Sequence, residues 1–165
     1  MRFFKRNPDP EQESPTDAYL GVRRKVLGLA PEQLGERFAD ASLLALLMEE
    51  QHSGAVATLV GVVDGASSLH FSSGGGFIGN GEHQPVAEAN RRWLAAGANL
   101  LPQLPTVAEA PLPDVDVVQF VAVTADGLRA AAVPTTSLER RQHPLSPLFV
   151  AGHDVITQIR LVNGG

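Results

Sequence analysis

The sequence predicts an α+β domain, in which amphipathic helices cover an antiparallel sheet made of two β-hairpins. Two Asp-Gly pairs, Asp64-Gly65 and Asp126-Gly127, each separate apolar runs of the kind that form strands. Other segments repeat their apolar residues every three or four positions, which is typical of helices that bury one face. Hairpins connect antiparallel strands, and amphipathic helices must pack on an apolar surface, so the two patterns together indicate this fold class.

Length and charge limit the classes of function. A chain of 165 residues is long enough for one core and short for two. The net charge is -5, and the basic residues occur in short clusters rather than along a stripe, which argues against a nucleic-acid partner. The chain has no cysteine, which excludes disulfides and thiolate catalysis. No run approaches the about 20 apolar residues of a spanning helix, so we expect a cytoplasmic protein with no membrane partner.

The N-terminal residues 1–16 are predicted to form a flexible tail, and residues 17–165 a single α+β domain. The stretch NPDPEQESPT contains three prolines and three acidic residues and has no apolar side chain to bury. From Asp17 onward, DAYLGVRRKVLGL places Leu20, Val26 and Leu27 loosely on one side of a helix.

A second helix is predicted over residues 31–51, PEQLGERFADASLLALLMEEQ. Its C-terminal half is apolar around most of its circumference, and such a helix must be covered on more than one side. Two interpretations remain open: a central helix of the domain, or a helix whose surplus face meets another subunit. On the second interpretation, the candidate interface residues are Leu43, Leu44, Leu46 and Leu47.

The first hairpin is formed by AVATLVGVV and ASSLHFS around Asp64-Gly65. A two-residue loop would pair Val60 with Leu69, and it would place His70 opposite Leu59 as an ordinary residue of the sheet face. The first strand is apolar on both sides and is therefore expected to be central.

The second half of the chain repeats a hairpin followed by a helix. VAEANRRWLAAGANLL has helical spacing and is ended by Pro102 and Pro105. VDVVQFVAVTA and LRAAAV then flank Asp126-Gly127, and Pro134 closes this hairpin. The apolar residues from Leu145 to Ile159 keep helical spacing; VITQIRLV is also compatible with a short strand, and we favour the helix. The predicted order is helix, helix, hairpin, helix, hairpin, helix.

The loop FSSGGGFIGNGEHQP is the main candidate for a ligand site. Gly74-x-Gly76-x-x-Gly79 has the letters of a dinucleotide-binding loop, but its strand belongs to a hairpin, and the Lys-Ser/Thr of a P-loop is missing. The loop is either a simple connection, capped by Asn80 or Glu82, or an anion site built from glycine amides and serine hydroxyls. The candidate ligand-binding residues in the loop are Ser72, Ser73, Gly74, Gly75, Gly76, Gly79 and Asn80.

Four polar residues extend this candidate site. If the sheet brings the two halves together, Glu82, His83, His153 and Asp154 would form a His/carboxylate metal site or an acid/base pair. None has a ligand spacing such as HExxH, so surface or capping histidines are the alternative, and no metal, cofactor or catalytic residue is assigned.

The segment HPLSPL, residues 143–148, is interpreted as a bend, because Ser146 lies between prolines and lacks the G-x-S-x-G context of a nucleophile. Arg140 and Arg141, close to His143, could bind an acidic partner, although a solvated charge pair is the commoner explanation of two adjacent arginines.

Two resemblances add to these observations. The pieces ATLVGVVDG, SSLHFSSGGGFIGNGEH, HPLSPLF and AGHDVITQIRL resemble a family of small, uncharacterised bacterial proteins that share this glycine loop and this C-terminal run. The resemblance spans about residues 20–162 and implies no function. The order of elements resembles roadblock and profilin-like scaffolds, and roadblock proteins are mostly non-enzymatic dimers that serve as platforms for small GTPases. The extra N-terminal helix, the glycine loop and HPLSPLF are not roadblock features.

The leading hypothesis is a small cytoplasmic, non-catalytic protein-interaction module that forms a homodimer. It depends on the apolar residues 42–48 and on the lack of a catalytic motif in the sequence. The rival hypothesis is a ligand- or metal-binding protein, or a small hydrolytic enzyme, that uses residues 74–81 with the neighbouring histidines and carboxylates. A third hypothesis is an immunity or antidefence protein that acts by occluding a partner.

Overall fold

Seven antiparallel strands form a single sheet in the computed structural model, which describes residues 13–165. Across the sheet the strands lie in the order β4-β3-β2-β1-β6-β7-β5. The strands are β1 (Ala45–His52), β2 (Ala55–Val62), β3 (Ser67–Phe71), β4 (Gly76–Phe77), β5 (Thr106–Val107), β6 (Val117–Thr124) and β7 (Gly127–Pro134). The helices are α1 (Pro15–Leu27), α2 (Gln84–Leu100), α3 (Thr135–Glu139) and α4 (Ser146–Val162). The fold class is therefore α+β, as predicted.

Helices cover both faces of the sheet. The long helices α2 and α4 pack on one face, where Trp93 lies with Met48, Leu59 and Phe120 in the main core. On the other face, α1 and the residues that follow it cover a smaller apolar cluster that includes Leu47. Because the sheet is covered on both faces, its central strand needs apolar side chains on both sides, and β1 has them over residues 45–48; Glu49 and Glu50, which follow, are also buried and need polar partners.

Helices α2 and α4 run antiparallel. Arg92, in the middle of α2, contacts Asp154 in α4, whereas Asn80, just before α2, contacts Asn163 at the C-terminal end of α4. The predicted helices over these two segments are confirmed. The start of α2 therefore lies beside the end of α4. This arrangement determines which polar residues of the two helices are in contact.

The helix predicted near the N-terminus is also confirmed as α1, but it begins two residues before the predicted domain boundary. The Ser14 hydroxyl caps it by accepting a hydrogen bond from the backbone N–H of Asp17 at 3.1 Å, and Pro15 occupies the first turn. Residues 15 and 16 thus belong to α1 and not to a tail. The rest of the predicted tail, residues 1–12, lies outside the described residues.

The predicted helix over residues 31–51 is wrong. This segment forms two single-turn 3₁₀ helices, Pro31–Gln33 and Glu36–Phe38, and then the central strand β1. β1 pairs with β2 on one side and with β6 on the other, so side chains on both of its faces are buried. Leucine favours helices in isolation, but burial between two layers and two neighbouring strands overrides that preference. The extra strand also changes the element order on which the roadblock resemblance was based.

The interface prediction for the four leucines is wrong for the same reason. Leu44, Leu46 and Leu47 have no exposed surface, and Leu43 is also buried, all within the core of a single chain. No surplus apolar face remains on this segment for a second subunit to cover.

Both predicted hairpins exist, with shifted turns. In the first, Leu59 pairs with Leu69, and His70 pairs with Thr58 and not with Leu59. The shift arises because the backbone N–H of Val62 donates to the Ala66 carbonyl, which leaves residues 63–65 as a three-residue turn. In the second, Thr124 pairs with Gly127, so residues 125 and 126 form the turn.

Candidate functional site

The glycine loop folds back on the sheet. Gly76 and Phe77 return as the short edge strand β4 beside β3, and Gly74, Gly75 and Gly79 adopt positive φ angles that favour glycine. The Ser72 hydroxyl accepts a hydrogen bond from the backbone N–H of Val56 at 2.8 Å and is therefore used within the fold. Ser73 remains exposed. The loop is thus a structured connection whose glycines permit a tight reversal.

Asn80 has a structural role at the end of this loop. It is buried, its amide nitrogen donates to the Phe77 carbonyl at 2.7 Å, and its amide oxygen accepts from Asn163 at 3.0 Å. These bonds connect the loop to the end of α4. Asn80 does not cap α2, whose N-cap is His83.

The predicted His/carboxylate cluster does not form. His153 pairs with Glu50, and Asp154 pairs with Arg92. Glu82 and His83 are exposed and follow Asn80, which contacts Asn163 at the C-terminal end of α4, about 15 Å along the helix from His153 at 1.5 Å per residue. Within residues 13–165, no group of three or more histidine and carboxylate side chains is arranged to hold a metal ion.

The glycines do line a groove, which we call the glycine-loop groove. Its volume is about 340 Å³, and it lies between the loop, α1 and β3. His70 lies in this groove and shares a 2.8 Å hydrogen bond between its Nε2 atom and the Ser68 hydroxyl. Burial lowers the pKa of His70 below its usual value, which favours the neutral imidazole. The lining residues are Pro15, Ala18, Tyr19, Val22, His70, Phe71, Gly74, Gly75, Gly76 and Ile78.

A larger groove of about 780 Å³, the α4 groove, lies beside the N-terminal half of α4. Its floor is one face of that helix, since Pro147, Val150, Ala151 and Asp154 follow the i, i+3, i+4, i+7 spacing. Arg92 of α2 also lines the groove, and Arg141, His143 and Pro144, from the segment that connects α3 to α4, form part of its border. The groove thus combines an apolar floor with basic side chains at its rim.

Arg141 adopts an unusual backbone conformation at this rim. Its φ angle is 55°, in the left-handed region that side chains other than glycine rarely adopt. The backbone N–H of Arg141 donates to the Leu138 carbonyl, and that of Gln142 donates to the Ser137 carbonyl, which is the hydrogen-bond pattern of a Schellman motif at the end of α3. Arg141 occupies the position of this motif where glycine is usual.

The His143 side chain is held in place by the turn that leads into α4. Its Nδ1 atom accepts from the backbone N–H of Leu145 at 3.0 Å, and its own backbone N–H donates to the Ser146 hydroxyl at 3.2 Å. Because Nδ1 is an acceptor, the neutral ring carries its hydrogen on Nε2. The bend predicted for HPLSPL is present over residues 143–145, whereas Ser146 already begins α4, and the turn positions a donor ring at the groove.

Arg92 and Asp154 form the single ion pair of the groove. An Nη2 atom of Arg92 lies 3.1 Å from an Oδ2 atom of Asp154, and the side chains are 63% and 43% exposed. The sequence pointed to Arg140 and Arg141, close to His143, as a possible acidic-partner site; Arg141 lines the groove and Arg140 does not, and the sequence did not connect Arg141 with Arg92 or Val150. No local spacing relates these residues, because the antiparallel packing of α2 on α4 brings them together.

A buried polar network lies on the opposite face of the sheet, under α1. Glu49 has no exposed surface, and it accepts hydrogen bonds from Arg23 at 2.7 and 2.8 Å, from Thr58 at 2.9 Å and from Gln119 at 3.1 Å. Burial opposes the charge of Arg23, but the hydrogen bonds and charge of Glu49 outweigh it and raise the pKa of Arg23. Burial also raises the pKa of Tyr19, which contacts Thr58, to about 12.

The neighbouring Glu50 points to the α4 side of the sheet. Its carboxylate lies 2.9 Å from Nε2 of His153 and 3.3 Å from Nε2 of His52. Burial acts to raise the pKa of Glu50, but the hydrogen bonds and charges of His153 and His52 outweigh burial and lower it. Two adjacent glutamates at the end of an apolar run were the available sequence signal for these networks, because buried charges need partners.

Comparison with known proteins adds no family. No protein-family model, curated protein or solved structure matches the chain significantly. Within residues 13–165, no helix combines the length and the apolar character needed to cross a membrane.

Proposed function

We propose that this protein is a cytoplasmic, non-catalytic protein-interaction module that binds an acidic segment of a partner in the α4 groove. The observation that carries the proposal is the left-handed conformation of Arg141 at the rim of that groove. For residues other than glycine, this conformation is less stable than the right-handed one by about 1 kcal/mol. Strained residues of this kind concentrate at functional sites, where the side chain is needed.

The chemistry of the groove supports an acidic partner. Arg141 and Arg92 present guanidinium groups, which bind carboxylates in a bidentate manner. Pro147, Val150 and Ala151 offer apolar contacts between them, along about 10 Å of helix axis from residue 147 to residue 154. A segment with acidic side chains beside apolar ones matches this surface, as in other complexes in which a peptide fills a groove between helices.

The experiment uses two fluorescein-labelled synthetic peptides. Both are helix-forming and carry leucine at every third or fourth position; one has glutamates between the leucines and the other has glutamines. Fluorescence polarisation should show tighter binding of the glutamate peptide by the wild-type protein, and Arg141→Gly should reduce that preference. Arg160→Gln, which removes the same charge from an exposed site near the end of α4, is the control. Equal binding of the two peptides to the wild-type protein would reject the proposal.

Homodimer formation is a separate part of the proposal. The buried leucines of β1 no longer motivate it, and Ile78, which is 80% exposed, is the most exposed large apolar residue on the described surface. Native mass spectrometry of the full chain measures the subunit number directly. A dimer that Ile78→Glu dissociates would support a self-interaction at this loop. A monomer at all concentrations would reject homodimer formation.

The second candidate is a small hydrolytic enzyme beside the glycine loop, where His70 lines the glycine-loop groove and Ser68 lines the neighbouring groove with Gly79 and Glu82. The specific observation in its favour is the 2.8 Å hydrogen bond between Ser68 and a His70 imidazole whose lowered pKa favours the proton-accepting form. A fluorophosphonate probe tests it, because attack by the Ser68 oxygen on phosphorus would expel fluoride and pass the hydroxyl proton to His70. Labelling at Ser68 that is lost in His70→Ala would support the enzyme. An unlabelled wild-type protein would reject it.

A further inference from the structure

We infer that Asp154 acts as an internal competitor in the α4 groove, holding Arg92 until the acidic side chain of a partner replaces it. This inference rests on the proposed function. It names Asp154 as the residue that sets how strongly the groove selects acidic ligands.

The geometry permits such an exchange. Arg92 and Asp154 both line the groove, and their single contact at 3.1 Å joins side chains that are 63% and 43% exposed. Exposed ion pairs of this kind contribute little to stability and are readily broken. A guanidinium has five donor hydrogens, and one hydrogen bond to Asp154 leaves the others for a second carboxylate.

The position of Asp154 gives the pair a role in selectivity. Asp154 lies one turn after Val150 on the floor of the groove, so a bound segment that reaches Arg92 must also pass this carboxylate. A glutamate in the segment must displace Asp154 to pair with Arg92, whereas a neutral side chain gains nothing by displacing the pair. Removing the Asp154 carboxylate should therefore tighten the binding of acidic segments in particular.

The test is a double-mutant cycle with the glutamate and glutamine peptides described above. Asp154→Asn should tighten binding of the glutamate peptide about threefold, the ratio expected for an exposed ion pair, and should leave the glutamine peptide unchanged. In an Arg92→Gln background the same substitution should have no such effect, because the freed guanidinium is absent. Glu139→Gln, which removes an equal charge at the exposed end of α3, is the control for long-range electrostatics.

The outcomes separate the two proposals. If the wild-type protein binds both peptides equally, the proposed function fails and the competitor role fails with it. If the wild-type protein prefers the glutamate peptide but Asp154→Asn does not tighten binding, the groove is the binding site and only the competitor role is overturned. The competitor role is also overturned if Asp154→Asn tightens binding of the glutamate peptide in the Arg92→Gln background, or if Glu139→Gln tightens it equally. In either case the change in net charge explains the effect.

Discussion

Arg23 of α1 and Glu49 of the central strand form a two-point ion pair in the interior of the protein, with N–O distances of 2.7 and 2.8 Å. The two residues are buried, and Arg23 also donates to the Ala110 carbonyl at 2.6 Å. This pair connects α1 and the segment around residue 110 to the sheet. A charge left unpaired there has no access to solvent.

Loss of one partner of this pair should strongly destabilise the fold. We expect Arg23→Met to lower the free energy of unfolding by about 3–5 kcal/mol, because it leaves the Glu49 carboxylate buried without its counter-ion. Urea unfolding followed by circular dichroism measures the change. Arg24→Met, at the adjacent exposed position, should be nearly neutral. The double variant Arg23→Met/Glu49→Met should recover much of the loss, and a single variant as stable as the wild type would contradict the structural role of the pair.

A charge at Leu47 should prevent folding. Leu47 is completely buried between β2 and β6, so Leu47→Glu places an unpaired carboxylate in the core, at a cost above about 4 kcal/mol. Far-ultraviolet circular dichroism should show an unfolded chain. Leu161→Glu, at a position that is 63% exposed, should fold normally. A folded, monomeric Leu47→Glu protein would instead support the interface role that the leucine-rich pattern first suggested.

Alanine at Gly61 should also destabilise the protein. A Cβ atom there would collide with the amide of Asn90 and with the ring of Trp93, both of which are buried against β2. We expect Gly61→Ala to cost about 1–3 kcal/mol in thermal or chemical unfolding, as overpacking does elsewhere. Gly21→Ala in α1 meets no neighbouring atom and should be neutral or stabilising. An equal effect of the two substitutions would show that the packing at Gly61 is not tight.

Protonation of Glu50 should account for part of the loss of folding stability at acid pH. Its pKa in the folded protein is lowered from 4.5, so between the two values the unfolded chain binds more protons than the folded one. The contribution of Glu50 to stability is therefore present above the unfolded value and is lost as the pH falls through the lower folded value. In urea titrations below about pH 5, Glu50→Gln should flatten the decline of stability with acid. Glu109→Gln, at an exposed position, should decline as the wild type does, and an unchanged slope for Glu50→Gln would contradict this assignment.

The sequence predicted those helices and hairpins that are marked by a pattern within a short segment. Asp-Gly turns marked both hairpins, and helical spacing marked α2 and α4. The segment around Leu43 to Met48 was misassigned, because a leucine run has no period that separates a helix covered all round from a central strand. The register of the first hairpin was wrong by one residue, because the sequence does not distinguish a two-residue from a three-residue turn at Asp64-Gly65.

The polar sites depended on packing that the sequence does not reveal. His153 was expected near His83, but the antiparallel arrangement of α2 and α4 places it beside Glu50. Arg92 and Arg141 line one groove only because both of their segments border α4. The left-handed conformation of Arg141 has no sequence signal, since the position usually calls for glycine.

The most direct test of the proposed function is the affinity of Arg141→Gly for the glutamate peptide, measured together with its melting temperature. Glycine suits the left-handed position, so the variant should be as stable as the wild type or more stable by up to about 1 kcal/mol. It should nevertheless bind the glutamate peptide at least about tenfold more weakly, because a charge-assisted contact is lost. A stable variant with undiminished affinity would contradict the assignment of the α4 groove as a site for acidic partners.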